Sequence, residues 1–307
     1  MLDEVQADWN IFAGKDFSWN VGGNISYNMN KVLKLPENGN YKNRMNGTLF
    51  ADDYYAGIGG IAEGERLYSV IGYKVSHILD NDKAASEAMY DERAAGYDPV
   101  TQTYEKGRKI AGDYEWVDKD GSGTITAKDQ FVLGYLVPTT TGGFNTTVKI
   151  RDFEIYASFD YALGHVIYDR QISLVNSGAQ SGYLNPTKDV LNYWSVPGDA
   201  AKTRYARFDV EDGSDNGQWN HYRTSDENTY KGDYLSFREL KVSYNFPRTI
   251  LNKTQIKAAQ VYFSGQNIYC FSQYPGYMTE YSSASRNLSD GNYPQPRIWT
   301  LGLNLTF

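Results

Sequence analysis

A single cysteine, Cys270, stands among 307 residues. That excludes an intramolecular disulfide and a multi-cysteine metal site. Histidine is nearly as scarce: His77, His165 and His221 lie far apart, with no H-x-x-x-H pair. No G-x-S-x-G elbow occurs and no histidine has a nucleophile at diagnostic spacing, so nothing points to an enzyme. Basic charge is in deficit, 30 Lys and Arg against 37 Asp and Glu for a net charge of −7. This argues against nucleic acid as a partner. Long charge-free apolar runs are missing too, which excludes a transmembrane helix. It leaves open a transmembrane β-barrel, whose lipid-facing residues come only at every second position. The opening residues Met1, Leu2, Asp3 and Glu4 have neither the basic nor the apolar region of a signal peptide. On that reading the protein stays in the cytoplasm, or the chain is a piece of something longer. No solenoid repeat or low-complexity linker divides it.

Aromatic residues are abundant instead: 27 Tyr, 13 Phe and 6 Trp. Many fall on runs of strict two-residue alternation, the mark of strands with one apolar face. Phe17, Trp19, Val21, Ile25 and Tyr27 alternate with Ser18, Asn20, Asn24 and Ser26. Phe153, Ile155, Ala157, Phe159, Tyr161 and Leu163 form a second such run, and Trp299, Leu301, Leu303, Leu305 and Phe307 a third. Similar runs occupy 3–13, 139–150 and 257–271. In 233–246 the phase slips once, at Arg238 and Glu239, which reads as a β-bulge. These runs exceed the usual globular strand of about 5–6 residues and suit a tilted membrane-crossing strand of about 9–11. Their polar face is mostly Ser, Thr, Asn, Gln and Gly, as a wet lumen requires.

Connection lengths alternate. Gly14 to Asp16, Arg151 with Asp152, and 247–256 are short. The stretches 31–136, 166–230 and 272–293 are long. Short turns on one side and long loops on the other are the pattern of an outer-membrane barrel. Within the long stretches, 84–95 reads as a helix and 186–194 as a short helix begun by Asn185 and Pro186. Segments 65–75 and 113–117 are strand-like, either as further barrel strands or as a hairpin within one loop. The fold expected is all-β: about six to eight antiparallel strands of a large transmembrane barrel with long extracellular loops. Phe17, Trp19, Phe246, Phe271, Trp299 and Phe307 read as interfacial aromatic girdles.

The sharpest local motif is the EF-hand-like loop 118–129. Asp118, Asp120 and Ser122 stand at positions 1, 3 and 5, Gly123 at 6, Thr124 with its carbonyl at 7, and Asp129 at 12. Calcium needs that many oxygens on a sharply turned chain. Ser at position 5 and Asp at position 12 depart from the usual Asp or Asn and Glu, and imply weak affinity. Thr126 is placed to bind through water. The glycines of 57–64 lack the spacing of a dinucleotide loop. Asp209, Glu211, Asp212 and Asp215 read as a solvated acidic face. Trp194, Trp219 and Tyr222, in the longest late loop, are candidates for stacking on a ligand such as a sugar. His165, at a strand end, reads as structural.

Several ordered stretches resemble the C-terminal part of the SusC/RagA family of TonB-linked outer-membrane transporters. They are FSWNVGGNISYN at 17–28, EGERLYSVIGYK at 63–74, GDYEWVDKDGSGTI at 112–125 with Val132, Leu133 and Gly134, YLSFRELKVSY at 234–244, VYFSGQN at 261–267, and PQPR at 294–297 leading to Phe307. The resemblance covers nearly the whole chain, 1–307. It implies a plugged 22-stranded barrel, of which this chain would be the C-terminal third, lacking the plug and the earlier strands. It also implies uptake of bulky nutrients, oligosaccharides or peptides, with a SusD-like lipoprotein lid and energy from the TonB complex. The terminal strand, Trp299, Leu301, Leu303, Leu305 and Phe307, would be the barrel-assembly signal. The competing expectations are a soluble calcium-dependent β-sandwich that binds carbohydrate, and an outer-membrane enzyme.

Overall fold

The computed structural model describes residues 2–45, 58–98, 103–169, 172, 187–208, 223–252, 254–276, 288–289 and 295–307. Its frame is one antiparallel sheet of seven strands paired in chain order. They are β1 (Leu2–Ala13), β2 (Phe17–Asn28), β3 (Thr140–Ile150), β4 (Phe153–Leu163), β5 (Tyr234–Asn245), β6 (Ala258–Ser272) and β7 (Ile298–Thr306). The seven alternating runs of the sequence are these seven strands. Among the described residues, no helix is long and apolar enough to cross a membrane.

The register puts like with like. One row across the sheet is Val5, Ile25, Gly142, Tyr161, Leu235 and Phe271. The opposite face carries Asn20, Thr147, Tyr156, Lys241, Ser264 and Thr300. On the apolar face Phe144, Phe159 and Phe237 stack side by side with centroids 4.7 and 4.6 Å apart, each pair contributing about 0.5–1.5 kcal/mol. Trp299 lies flat over Gly265, where a Cβ would come within 2.4 Å of the indole.

That apolar face is open. Leu301 is 77% exposed, Trp9 71% and Val5 63%. Among the described residues no second sheet packs on it, as the core of a sandwich would require. Strand β4, with 11 residues, is about 33 Å long and covers about 25 Å when tilted by roughly 40°. That matches the hydrocarbon band of an outer-membrane barrel.

The phase slip is a bulge. Phe237 faces Phe159 and Glu239 faces Ser158, leaving Arg238 as the extra residue. Against β6 the same strand skips again, from Phe237 opposite Tyr269 to Glu239 opposite Gln266. The short turns share one end of the sheet: Arg151 N–H donates to the Asp16 carbonyl and Asn245 N–H to that of Asp152. Arg151 takes a positive φ of 53°, which the first position of such a two-residue hairpin turn demands.

Three excursions leave the other end, at 29–139, 164–233 and 273–297. Segments 65–75 and 113–117 do not join the large sheet; they meet each other only at the end of 65–75, where Val75 faces Trp116 and Val117 N–H donates to the Lys74 carbonyl. Ser69–Gly72 pairs with Phe131–Tyr135 and Ile58–Gly60, while Tyr114–Trp116 pairs with Val75–Ile78. The expected helix over 84–95 is only Asp82–Ser86, capped by the Asn81 side chain. The chain turns extended at Tyr90–Asp91 to pair with Thr124–Ile125, because Asp91 is drawn into a buried ion pair with Arg223. The short helix expected over 186–194 is a 3-10 turn at Lys188–Asn192; its starting residues Asn185 and Pro186 lie outside the described residues. The dry core of the chain sits in these excursions, where Tyr73, Ile78, Tyr114, Trp116, Ile125 and Ala206 cluster.

Candidate functional site

The loop 118–129 folds around its own carboxylates. Two left-handed glycines, Gly121 and Gly123, with φ of 73° and 77°, turn the chain. Asp118 accepts the N–H groups of Gly121 at 2.7 Å and Gly123 at 2.8 Å. These contacts, Gly123 foremost, hold its carboxyl below the usual range against desolvation. Asp120 accepts from Ser122 N–H at 3.0 Å, and the Ser122 hydroxyl donates to the Thr124 carbonyl at 3.0 Å. Asp129 is fully buried. It reaches back to Lys119 N–H at 2.9 Å and Thr126 N–H at 2.7 Å, closing the loop with a capping box. One carboxylate oxygen from each of Asp118, Asp120 and Asp129 lies within 4.8 Å of the others. Three carboxylates, a hydroxyl and a carbonyl form an all-oxygen donor set, the chemistry that a hard divalent cation takes. Ile125, at the apolar position of the loop, is anchored in the excursion core.

Trp194 is half-buried and packs against that core. Its indole donates to Asp80 at 3.1 Å, and its ring fills the space beside Gly112 that a Cβ would need. Trp219, Tyr222 and the acidic residues Asp209, Glu211, Asp212 and Asp215 lie outside the described residues. His165 is buried beside Gly232 and Tyr234; desolvation lowers its pKa, against the attraction of Asp233. Trp299, Leu301, Leu303 and Leu305 line the exposed apolar face of β7, the last strand of the sheet, and Phe307, just beyond it, is 71% exposed.

The groups that tie the excursions together carry no sequence signal. Asp80 of the first excursion accepts from Gly198 N–H at 2.7 Å and Ala200 N–H at 3.0 Å of the second. Those contacts hold its carboxyl below the ordinary value. Arg207 donates to Asp113 at 2.8 Å, and the Tyr114 hydroxyl to the Arg204 carbonyl at 3.0 Å. Within the first excursion Lys109 and Glu115 form a buried pair, as do Arg44 and Glu65. These partners are up to 120 residues apart, so no local pattern announces them.

No family model matches the chain. It is 27% identical over 311 aligned positions to TonB-dependent receptor P3 of Formosa agariphila, covering 95% of this chain and 27% of that protein. It is 23% identical over 296 positions to TonB-dependent receptor SusC of Bacteroides thetaiotaomicron, covering 95% of this chain and 25% of that one. The chain thus spans about a quarter of the length of these curated relatives. Among solved structures it superposes on the RagAB peptide transporter with a TM-score of 0.69 at 19% identity, over 100% of this chain and 29% of that one. The open-open state of the RagAB peptide importer gives 0.66 at 19% identity, over 99% and 28%.

Proposed function

We propose that this chain, a relative of the SusC/RagA-type TonB-dependent receptors along nearly its whole length, is barrel wall in an outer-membrane importer of bulky nutrients. The observation that carries this reading is the inverted distribution of apolar groups. The sheet exposes its aromatic and aliphatic face, whereas among the described residues the packed hydrophobic clusters lie in the excursions. A lipid-facing wall needs the first and a preformed mouth needs the second. Oligosaccharides and peptides are the substrate classes proposed, the excursions forming part of their binding mouth. A SusD-like surface lipoprotein is the proposed lid, and the TonB complex the proposed source of energy, engaged through parts of such receptors that this chain does not match. No catalytic constellation enters this reading.

Calcium is the cation proposed for the loop 118–129. Asp118, Asp120 and Asp129 would supply charge, with the Ser122 hydroxyl and the Thr124 carbonyl as further oxygens. The ion would offset the repulsion of three close carboxylates and so stiffen the base of the mouth.

Fractionating cells and blotting with an antibody to 187–208 tests the transporter reading. The expected result is an outer-membrane band three to four times the 34.7 kDa of this chain, solubilised only by detergent. A soluble band near the calculated mass would overturn it.

A further inference from the structure

Arg223 begins the described segment that leads into β5. Its side chain is 1% exposed, as is that of Asp91, 132 residues away in the first excursion. The guanidinium donates to both Asp91 oxygens, at 3.0 and 3.3 Å. Its Cζ lies 4.8 Å from the ring centroids of both Tyr73 and Trp116. Backbone contacts extend the grip. Tyr73 N–H donates to the Thr224 carbonyl at 3.0 Å, and Asp226 N–H to that of Tyr73 at 3.1 Å. Val75 N–H donates to the Asp226 carboxylate at 3.0 Å. Gly72 permits this approach, since a Cβ there would stand 2.4 Å from the Thr224 carbonyl oxygen.

We propose that Arg223 and Asp91 form a buried latch that makes the strap 223–226 of the second excursion and its seat on the first hold or release as one unit. The reason is electrostatic. A carboxylate and a guanidinium taken from water together are tolerable when paired bidentately and stacked on aromatic faces. Separated but still buried, each is severely penalised. Partial undocking therefore has no stable stopping point: the strap 223–226 either lies in place or leaves with the charge exposed. The latch stands apart from the acidic loop. Asp91 neighbours it through the short pairing with Ile125, but its carboxylate is not one of the three acidic groups gathered there.

Hydrogen exchange on the full-length protein in detergent tests this. Arg223→Met and Asp91→Asn should each lower protection at Tyr73, Val75 and Asp226 together, by about 100-fold. Amides of β4 and β5 should keep theirs. Pairing Asp91→Leu with Arg223→Met removes both charges and should recover at least about tenfold of the loss. Gly72→Ala leaves both charges and displaces the strap backbone, so it should produce the same joint loss, and it keeps the test alive if a charge variant fails to assemble. Wild-type protection in the single variants, loss confined to Asp226 while Tyr73 and Val75 keep theirs, or a paired variant no better than the singles would each overturn the latch.

Discussion

Arg238, the extra residue of the bulge in β5, reaches across to β4 and grips the Asp160 carboxylate side-on, its Nη2 donating to Oδ2 at 3.0 Å. A bulge breaks the two-residue alternation, and here it delivers a long cation to the polar face without moving Phe237 or Leu240 off the apolar one. The same guanidinium donates to Asn267 at 3.3 Å and to Gln295 at 3.1 Å, just ahead of β7. Both partners of the ion pair are about a third exposed. A double-mutant cycle of Arg238→Ala with Asp160→Ala should therefore give a coupling of only about 0.5–1 kcal/mol in detergent unfolding. A coupling near zero would mean that the bulge alone sets the register.

The lipid-facing assignment separates a substitution on β5 from one on β2. Leu240, opposite Ala157 in mid-strand, belongs to the apolar face. Leu240→Arg should destabilise the barrel by about 2–4 kcal/mol in bilayer unfolding. Asn20→Lys, on the polar face, should cost less than about 1 kcal/mol. Equal losses for the two would contradict the assignment of faces.

Cation binding at the acidic loop has a direct readout. Chelation should raise protease sensitivity within 113–134, and readdition of calcium should reverse it. The double variant Asp118→Ala, Asp120→Ala should be sensitive with or without the ion. Protection that ignores calcium altogether would remove the ion from this reading.

Acid should act with opposite signs at two places. Backbone donors depress Asp80 and Asp118 in the folded state, the Ala200 N–H first for Asp80 and the Gly123 N–H first for Asp118. Their stabilisation is complete above the unfolded pKa of about 3.9 and fades as pH falls through the lower folded values. Glu227 is raised by burial, with Arg204 opposing, so protonating it as pH falls relieves a penalty. Hydrogen exchange between pH 5 and 3 should show the corner around Asp80, Gly198 and Ala200 loosening first, and Asp80→Asn should remove that acid dependence.

The terminal strand is testable in cells. Replacing Phe307 by Ala should lower the amount of protein in the outer membrane several-fold while leaving the unfolding midpoint of the assembled fraction unchanged. Equal yield would take Phe307 out of the assembly signal.

Much of this protein is written locally. Alternation over nine or more residues can satisfy only an extended strand with two unlike faces, so the seven strands and even the bulge at Arg238 follow from the chain itself, whereas the exclusion of 65–75 and 113–117 from the large sheet does not. The acidic loop was legible for the same reason: its oxygens come from twelve consecutive residues. What the sequence does not contain is the partner of a charge far away. Nothing near Asp91, Asp80 or Asp113 names Arg223, Gly198 or Arg207, and nothing at Trp194 shows that its indole donates to Asp80. The helix expected at 84–95 stops short because a distant guanidinium requires Asp91 in an extended chain, a tertiary demand stronger than helix propensity. Periodicity and spacing, which act between neighbours in the chain, determined the wall. The packing of the excursions was decided by burial of charge among residues brought together only by folding, because such pairs are stable only when both members leave water at once.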